Sequence, residues 1–282
     1  MSDAGGALAP NGGGTDTGTT GTTSGTGGTS GTTPGTSGTS TLAPNGGGIH
    51  FGVVVFPGSN CEQDVMYALR FLGFDASYVW HQDTNLDPFD AVVLPGGFSY
   101  GDYLRCGAIA RFSPVMDSVI SYAKAGRPVL GICNGFQILT EAHLLPGALL
   151  RNAGLKFICE NLPLRVESDR CAWLDLAIGT VVKVPINHNE GNYFCDEETR
   201  ARLEGNGQIV LRYCAPDGSR LAPGSGPNGA LDDIAGICNE RGNVFGLMPH
   251  PERVCDGLSG AHATDGAAFF TAVASFVRKA LA

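Results

Sequence analysis

Four short apolar runs between Ile49 and Ile132, each closed by turn residues, constrain the fold of this chain more than any other feature. The first, Ile49–Phe56 (IHFGVVVF), is rich in β-branched residues and stops at Pro57-Gly58. Continuous apolar character over so few residues suits a strand covered on both faces. Ser59-Asn60-Cys61-Glu62 then reads as a capping box, with Ser59 as N-cap and Glu62 three residues on. Val65, Ala68, Leu69 and Leu72 follow at helical spacing until Gly73 stops the helix. Ala76–Trp80 and Ala91–Leu94 read as the next two strands, a helix is expected within Ser113–Ala125, and Pro128–Ile132 is the fourth strand. This alternation predicts an α/β fold, a doubly wound and mostly parallel sheet flanked by helices. Ligands of such sheets gather at the carboxyl ends of the strands, here the loops after Phe56, Leu94 and Ile132.

From Lys156 the texture changes. Val181–Pro185, Gln208–Tyr213, Ile234–Cys238 and Val244–Leu247 read as strands, the last two as a hairpin. A C-terminal helix within Asp265–Leu281 carries Phe269, Phe270, Val273, Phe276 and Val277 on one side. Residues 49–282 therefore make one α/β domain with a β-rich C-terminal portion. Residues 1–48 differ in kind. They are almost wholly Gly, Thr, Ser, Ala and Pro, with Asp3 and Asp16 as the only charges. Such a segment buries too little apolar surface to offset its ordering entropy, which predicts a disordered tail. The motif LAPNGGG at Leu8–Gly14 and Leu42–Gly48 brackets it in the manner of a flexible linker. It has neither the basic nor the apolar region of a signal peptide.

The chain carries 18 basic and 27 acidic side chains, a net charge of −9. An acidic domain without basic clusters argues against nucleic-acid and anionic-membrane partners. No apolar run approaches the ~20 residues of a membrane-spanning helix. The nine cysteines are odd in number, and no pair has C-x-x-C spacing. A disulfide framework and a metal site are thus not expected, and the compartment is expected to be reducing, the cytoplasm. Most of these thiols read as small buried hydrophobes.

Cys133 stands apart. Gly131-Ile132-Cys133-Asn134-Gly135 lies between a strand and a helix, with the logic of a nucleophile elbow. The flanking positions of so tight a turn must be small, and the middle side chain stands beside the positive end of a helix, which favours thiolate. The Asn134 N–H then points where an oxyanion would form. A buried cysteine on an ordinary βα turn satisfies the same local pattern. A thiol nucleophile also needs a histidine steered by a carboxylate. His50, His81, His143 and His262 read as structural or solvated. His250 differs, because Pro249 and Pro251 fix the backbone around it and Glu252, two residues on, can turn back to the ring. An exposed proline-rich loop is the alternative. Pro95-Gly96-Gly97, after the third strand, allows close backbone approach to a ligand and a further oxyanion donor.

Taken together, GICNGFQ, MPHPER and the earlier glycine loop resemble the triad-type, class I glutamine amidotransferases. Phe56–Asp64 (FPGSNCEQD), Gly96–Arg111 (GGFSYGDYLRCGAIAR) and His188–Glu198 (HNEGNYFCDEE) are similar to one branch, the glutaminase subunits of phosphoribosylformylglycinamidine synthase. The resemblance runs from about Ile49 to the C-terminus. It implies a flavodoxin-like fold and hydrolysis of L-glutamine to glutamate and ammonia. Cys133 would form the thioester, His250 move protons and Glu252 orient it. Gly96, Gly97 and Asn134 would serve the oxyanion, Gln137 the substrate amino acid, and His188 the substrate or the partner. The ammonia would pass to a synthetase subunit, with a small bridging subunit as a further partner. No phosphate-binding motif occurs in this chain, so it needs no cofactor of its own, and ATP and Mg²⁺ fall to the synthetase. Asn189 departs from the HGEG form expected of the branch and adds bulk beside His188. Three other readings remain: a glutaminase serving another amidotransferase, a cysteine hydrolase indifferent to glutamine, and a non-catalytic partner subunit. The branch-specific loops, Gln137 and the intact Cys133, His250 and Glu252 set speak against each in turn.

Overall fold

A computed structural model of the chain describes residues 48–258 and 264–281. The disorder expected of the tail falls on residues 1–47, outside the described residues, as does His262. The first half reads β1 (His50–Val55), α1 (Glu62–Phe71), β2 (Asp75–Trp80), β3 (Ala91–Leu94), α2 (Pro114–Lys124), β4 (Val129–Ile132) and α3 (Asn134–Glu141). The second half adds β5 (Ala148–Leu150), β6 (Ile158–Val166), β7 (Val181–His188), β8 (Asn192–Phe194) and α4 (Glu197–Gly205). It ends with β9 (Ile209–Tyr213), β10 (Ile234–Cys238), β11 (Val244–Leu247) and α5 (Ala267–Leu281).

Nine of these strands form one mixed sheet in the order β2-β1-β3-β4-β11-β10-β9-β6-β7. The pairs from β2 through β1, β3 and β4 to β11 are parallel. From β11 onward through β10, β9, β6 and β7 every pair is antiparallel, and β10 and β11 form the expected hairpin. The expected mostly parallel sheet is thus half of a larger mixed one. Every residue of β3, β4, β9, β10 and β11 is buried, as the continuous apolar runs require. β7, at one edge, alternates buried with more exposed residues. β5 and β8 pair separately, antiparallel.

The capping box does not form. The Ser59 hydroxyl donates to the Phe56 carbonyl (2.9 Å) and accepts from the Phe56 N–H (3.2 Å), so it closes its own turn instead. α1 begins at Glu62 with Cys61 as N-cap and no side-chain cap. The most consequential feature is the placement of β11. Although it is the last strand, it lies beside β4 with Gly246 opposite Gly131 and Leu247 opposite Ile132. The carboxyl ends of the two strands are thereby neighbours, and the residues that follow each, Cys133 and the Met248–His250 segment, share one edge of the sheet.

Candidate active site

Cys133 holds φ 52° and ψ −105° between β4 and α3, a conformation that L residues rarely adopt. A side chain at Gly131 would press on Leu139 and the Gly135 carbonyl, and one at Gly135 would overlap the Leu94 carbonyl of β3. Both glycines are therefore required by the turn, as the G-x-C-x-G pattern predicts. The Cys133 N–H donates to the Leu247 carbonyl (2.8 Å), tying the turn to β11.

His250 follows β11 at once. Its Nδ1 meets Glu252 Oε1 at 2.6 Å, and both side chains are buried. Glu252 reaches the ring because Pro251–Arg253 coil into a short 3₁₀ turn, not along extended chain. His250 Nε2 has no partner. The carboxylate fixes the ring proton on Nδ1, which leaves Nε2 as an acceptor. Gly96 allows the parts to meet: a Cβ there would stand 2.8 Å from the His250 ring, 3.2 Å from Cys61 Sγ and 3.4 Å from Cys133 Cβ.

Asn134 ties the elbow to its neighbours. Its N–H faces the Cys133 sulfur. Its side chain accepts from the Ser99 N–H (3.2 Å) and donates to Asp102 Oδ1 (3.2 Å) and Gln137 Oε1 (2.9 Å). Gln137 in turn donates to the Glu190 carbonyl (2.6 Å). The His188 ring packs where a side chain at Gly191 would overlap it, with Nδ1 3.2 Å from Asn152 Oδ1. Burial, and then the neighbouring His250, lower its pKa to about 4, so the ring is neutral at physiological pH.

Of the sequence-predicted residues, Gly97, Cys133, Gln137, His188 and His250 line one cleft of about 340 Å³, while Gly96, Asn134 and Glu252 support it from behind. Cys61, Asp102, Cys106 and Arg253, which lie within the quoted motifs but were not singled out as site residues, line the same cleft, as does Asn187. Three cysteines share the site, so Cys133 is not the only thiol with catalytic company. The expectation of a lowered Cys133 pKa needs correction as well. Burial pushes the thiol well up, Cys61 and Glu252 add to the rise, and the Asn134 N–H and Arg253 only partly offset it. At rest Cys133 is therefore a protonated thiol. His250 Nε2 is the unpartnered base at hand. The cleft thus holds a strained thiol, a carboxylate-oriented imidazole and a backbone donor, the parts of acyl transfer through a thioester.

Comparison with known proteins places this arrangement. The CobB/CobQ-like glutamine amidotransferase domain family matches residues 49–275. The phosphoribosylformylglycinamidine synthase subunit PurQ of Moorella thermoacetica is 56% identical over 212 residues, 74% of this chain and 89% of the relative. The subunit of the same name from Acaryochloris marina is 54% identical over 225 residues, 79% of this chain and 94% of the relative. Among solved structures, PurLQS from Thermotoga maritima superposes with a TM-score of 0.72 at 40% identity, covering 82% of this chain and 99% of that one. A more distant solved structure from Thermoplasma acidophilum shares the fold at 17% identity and a TM-score of 0.55, covering 83% of this chain and 96% of that one. With Cys133 on its glycine-flanked elbow and His250 beside it, and at this identity over nearly the whole length of its relatives, the chain belongs to the PurQ family of glutamine amidotransferases.

Proposed function

We propose that this chain is the glutaminase subunit of phosphoribosylformylglycinamidine synthase. It hydrolyses L-glutamine and delivers the ammonia to a synthetase subunit, which uses ATP to convert formylglycinamide ribonucleotide to its amidine in purine biosynthesis. The observation that carries the reading is the pairing of β4 with β11, which brings Cys133 beside the His250–Glu252 pair in a chain more than half identical to PurQ subunits.

The chemistry follows from the groups present. His250 Nε2 takes the Cys133 proton while Glu252 accepts the Nδ1 hydrogen bond and stabilises the imidazolium. The thiolate attacks the glutamine amide carbon, and the Asn134 N–H, with an N–H at Gly97, receives the charge that develops on the carbonyl oxygen. His250 returns its proton to the departing nitrogen, which leaves as ammonia and gives the glutamyl thioester. Water then attacks that thioester, again losing a proton to His250, and glutamate leaves with the thiol restored. The proposed compartment is the cytoplasm: all nine cysteines are free, and no helix among the described residues is long and apolar enough to cross a membrane.

The decisive test separates the two half-reactions. In the complex with its synthetase, Cys133→Ala is expected to abolish amidine formation from glutamine and to leave formation from ammonium chloride intact. Continued glutamine-dependent turnover in that variant would overturn the proposed role of Cys133.

A further inference from the structure

Cys61 has no part in the proposed mechanism, although it stands among the groups that have one. It is the N-cap residue of α1, far in sequence from β4 and β11. Even so, Cys61, His250 and Glu252 each bring a ligand atom within 4.8 Å of the other two, and all three are buried. Cys133 closes the group. A Cβ at Gly96 would stand 2.8 Å from His250 Cε1, 3.2 Å from Cys61 Sγ and 3.4 Å from Cys133 Cβ. Cys61, Cys133 and His250 all line the one cleft, and after burial Cys61 is the strongest influence raising the Cys133 thiol.

The His250–Glu252 pair supplies an independent observation. Glu252 Oε1 lies 2.6 Å from Nδ1, which keeps the ring proton there and leaves Nε2 a bare lone pair. Nε2 has no partner among the described residues, although His250 is only 1% exposed, and Glu252 Oε2 has none either. A carboxylate behind one ring nitrogen and a free lone pair on the other is the arrangement of a metal-binding histidine, in which the carboxylate fixes the ring and raises its basicity. The charges fit as well. Arg253 donates to Cys61 Sγ (3.3 Å) and is held by Asp64 (3.1 Å). Two thiolates would cancel the charge of a divalent cation, and Arg253 would balance Glu252.

Two sulfurs and an imidazole nitrogen select zinc over magnesium and calcium, which take oxygen ligands. We propose that Cys61, Cys133 and His250 form an inhibitory site for a thiophilic divalent cation, zinc, with Glu252 as the carboxylate behind the histidine. This rests on the glutaminase reading above and adds a means of regulation to it. On binding, each thiol gives its proton to solvent, both sulfurs bond the metal as thiolates, and His250 Nε2 donates its lone pair. The proposed nucleophile and its base are then both occupied, and glutamine is not hydrolysed while the metal stays. No spacing in the sequence announces the site, because its ligands come from three separated segments.

The test uses the full chain assembled with its synthetase and zinc chloride as the probe, at fixed magnesium. Zinc is expected to stop glutamate release from glutamine, and the chelator TPEN to restore it. Amidine formation from ammonium chloride is expected to continue at the same zinc concentration. Cys61→Ala is expected to raise the zinc concentration that halves its own rate by about a hundredfold, since losing a ligand costs no less than losing the partner of one. Cys61→Ser, which keeps the volume, decides the matter if Cys61→Ala does not fold. An unchanged half-inhibiting concentration, or an equal loss of the ammonium-dependent reaction, overturns the proposal. Cobalt(II) gives a readout independent of turnover. Its thiolate charge-transfer absorption on the wild-type complex is expected to fall in both Cys61→Ala and Cys133→Ala, and a spectrum that neither variant changes overturns the site. If the wild-type complex without zinc releases no glutamate from glutamine, it is the glutaminase reading that fails, and the cobalt spectra still decide the metal site.

Discussion

Cys133 combines two features that pull against each other. Its backbone is strained into a position that presents the sulfur, while its burial disfavours the thiolate that the proposed mechanism requires. In that mechanism the second gives His250 its part, because the proton must go to a specific acceptor and not to solvent. His188 shows the same burial acting on a base. Its pKa falls from 6.5 in the unfolded chain to about 4 in the fold. The unfolded state therefore binds more protons between those values, and stability falls as pH drops through the window. From pH 7 to pH 5 this single group is expected to remove about 2 kcal/mol. Urea unfolding at the two pH values should show that loss in the wild type and a smaller one in His188→Gln; equal losses would mean that the ring is not held neutral. The sequence made Cys133, His250 and Glu252 legible because glycines and prolines, which mark special backbone, surround them. Cys61, Asp102 and Arg253 were not legible as site residues, since what brings them to the cleft is the packing of loops that no periodicity encodes.

At the scale of elements, the junction of β4 and α3 depends on how closely the helix approaches β3. A methyl at Gly135 would occupy the space of the Leu94 carbonyl oxygen. Gly135→Ala is expected to cost about 2–3 kcal/mol through overpacking, a fall of roughly 5–10 °C in Tm. Gly154→Ala, which meets nothing within 4 Å, is the matched control and should leave the calorimetric midpoint unchanged. A Gly135→Ala protein as stable as the control would show that the elbow tolerates a wider turn. The parallel half of the sheet was readable because β3 and β4 are apolar throughout and β1 nearly so, each closed by turn residues. β6 was missed because Glu160, Asn161 and Pro163 interrupt it; the proline is tolerated because β9 pairs only from Leu164 onward. α4 was missed because it buries only Leu203, although Asp196 caps it through the Thr199 N–H (2.7 Å) with Glu197 and Glu198 in its first turn. The capping box expected at Ser59 is the converse case, a motif present in the sequence that does not form because its hydroxyl found a nearer partner.

For the molecule as a whole, the family match begins at residue 49, beyond the Gly/Thr/Ser tract. A chain starting at Gly48 is expected to keep its Tm, and to keep kcat/KM with the synthetase within about twofold of the full-length value. A larger loss would give the tract a role in assembly. The sheet order also governs when this enzyme becomes an enzyme. β11 is the last strand made, yet it belongs between β4 and β10, so a ribosome must release nearly the entire chain before the central gap is filled. Until that moment Cys133 has been synthesised but the His250–Glu252 pair has not been brought alongside. Under the proposed mechanism a growing or truncated polypeptide cannot consume glutamine, and hydrolysis begins only once the protein is complete enough to be assembled.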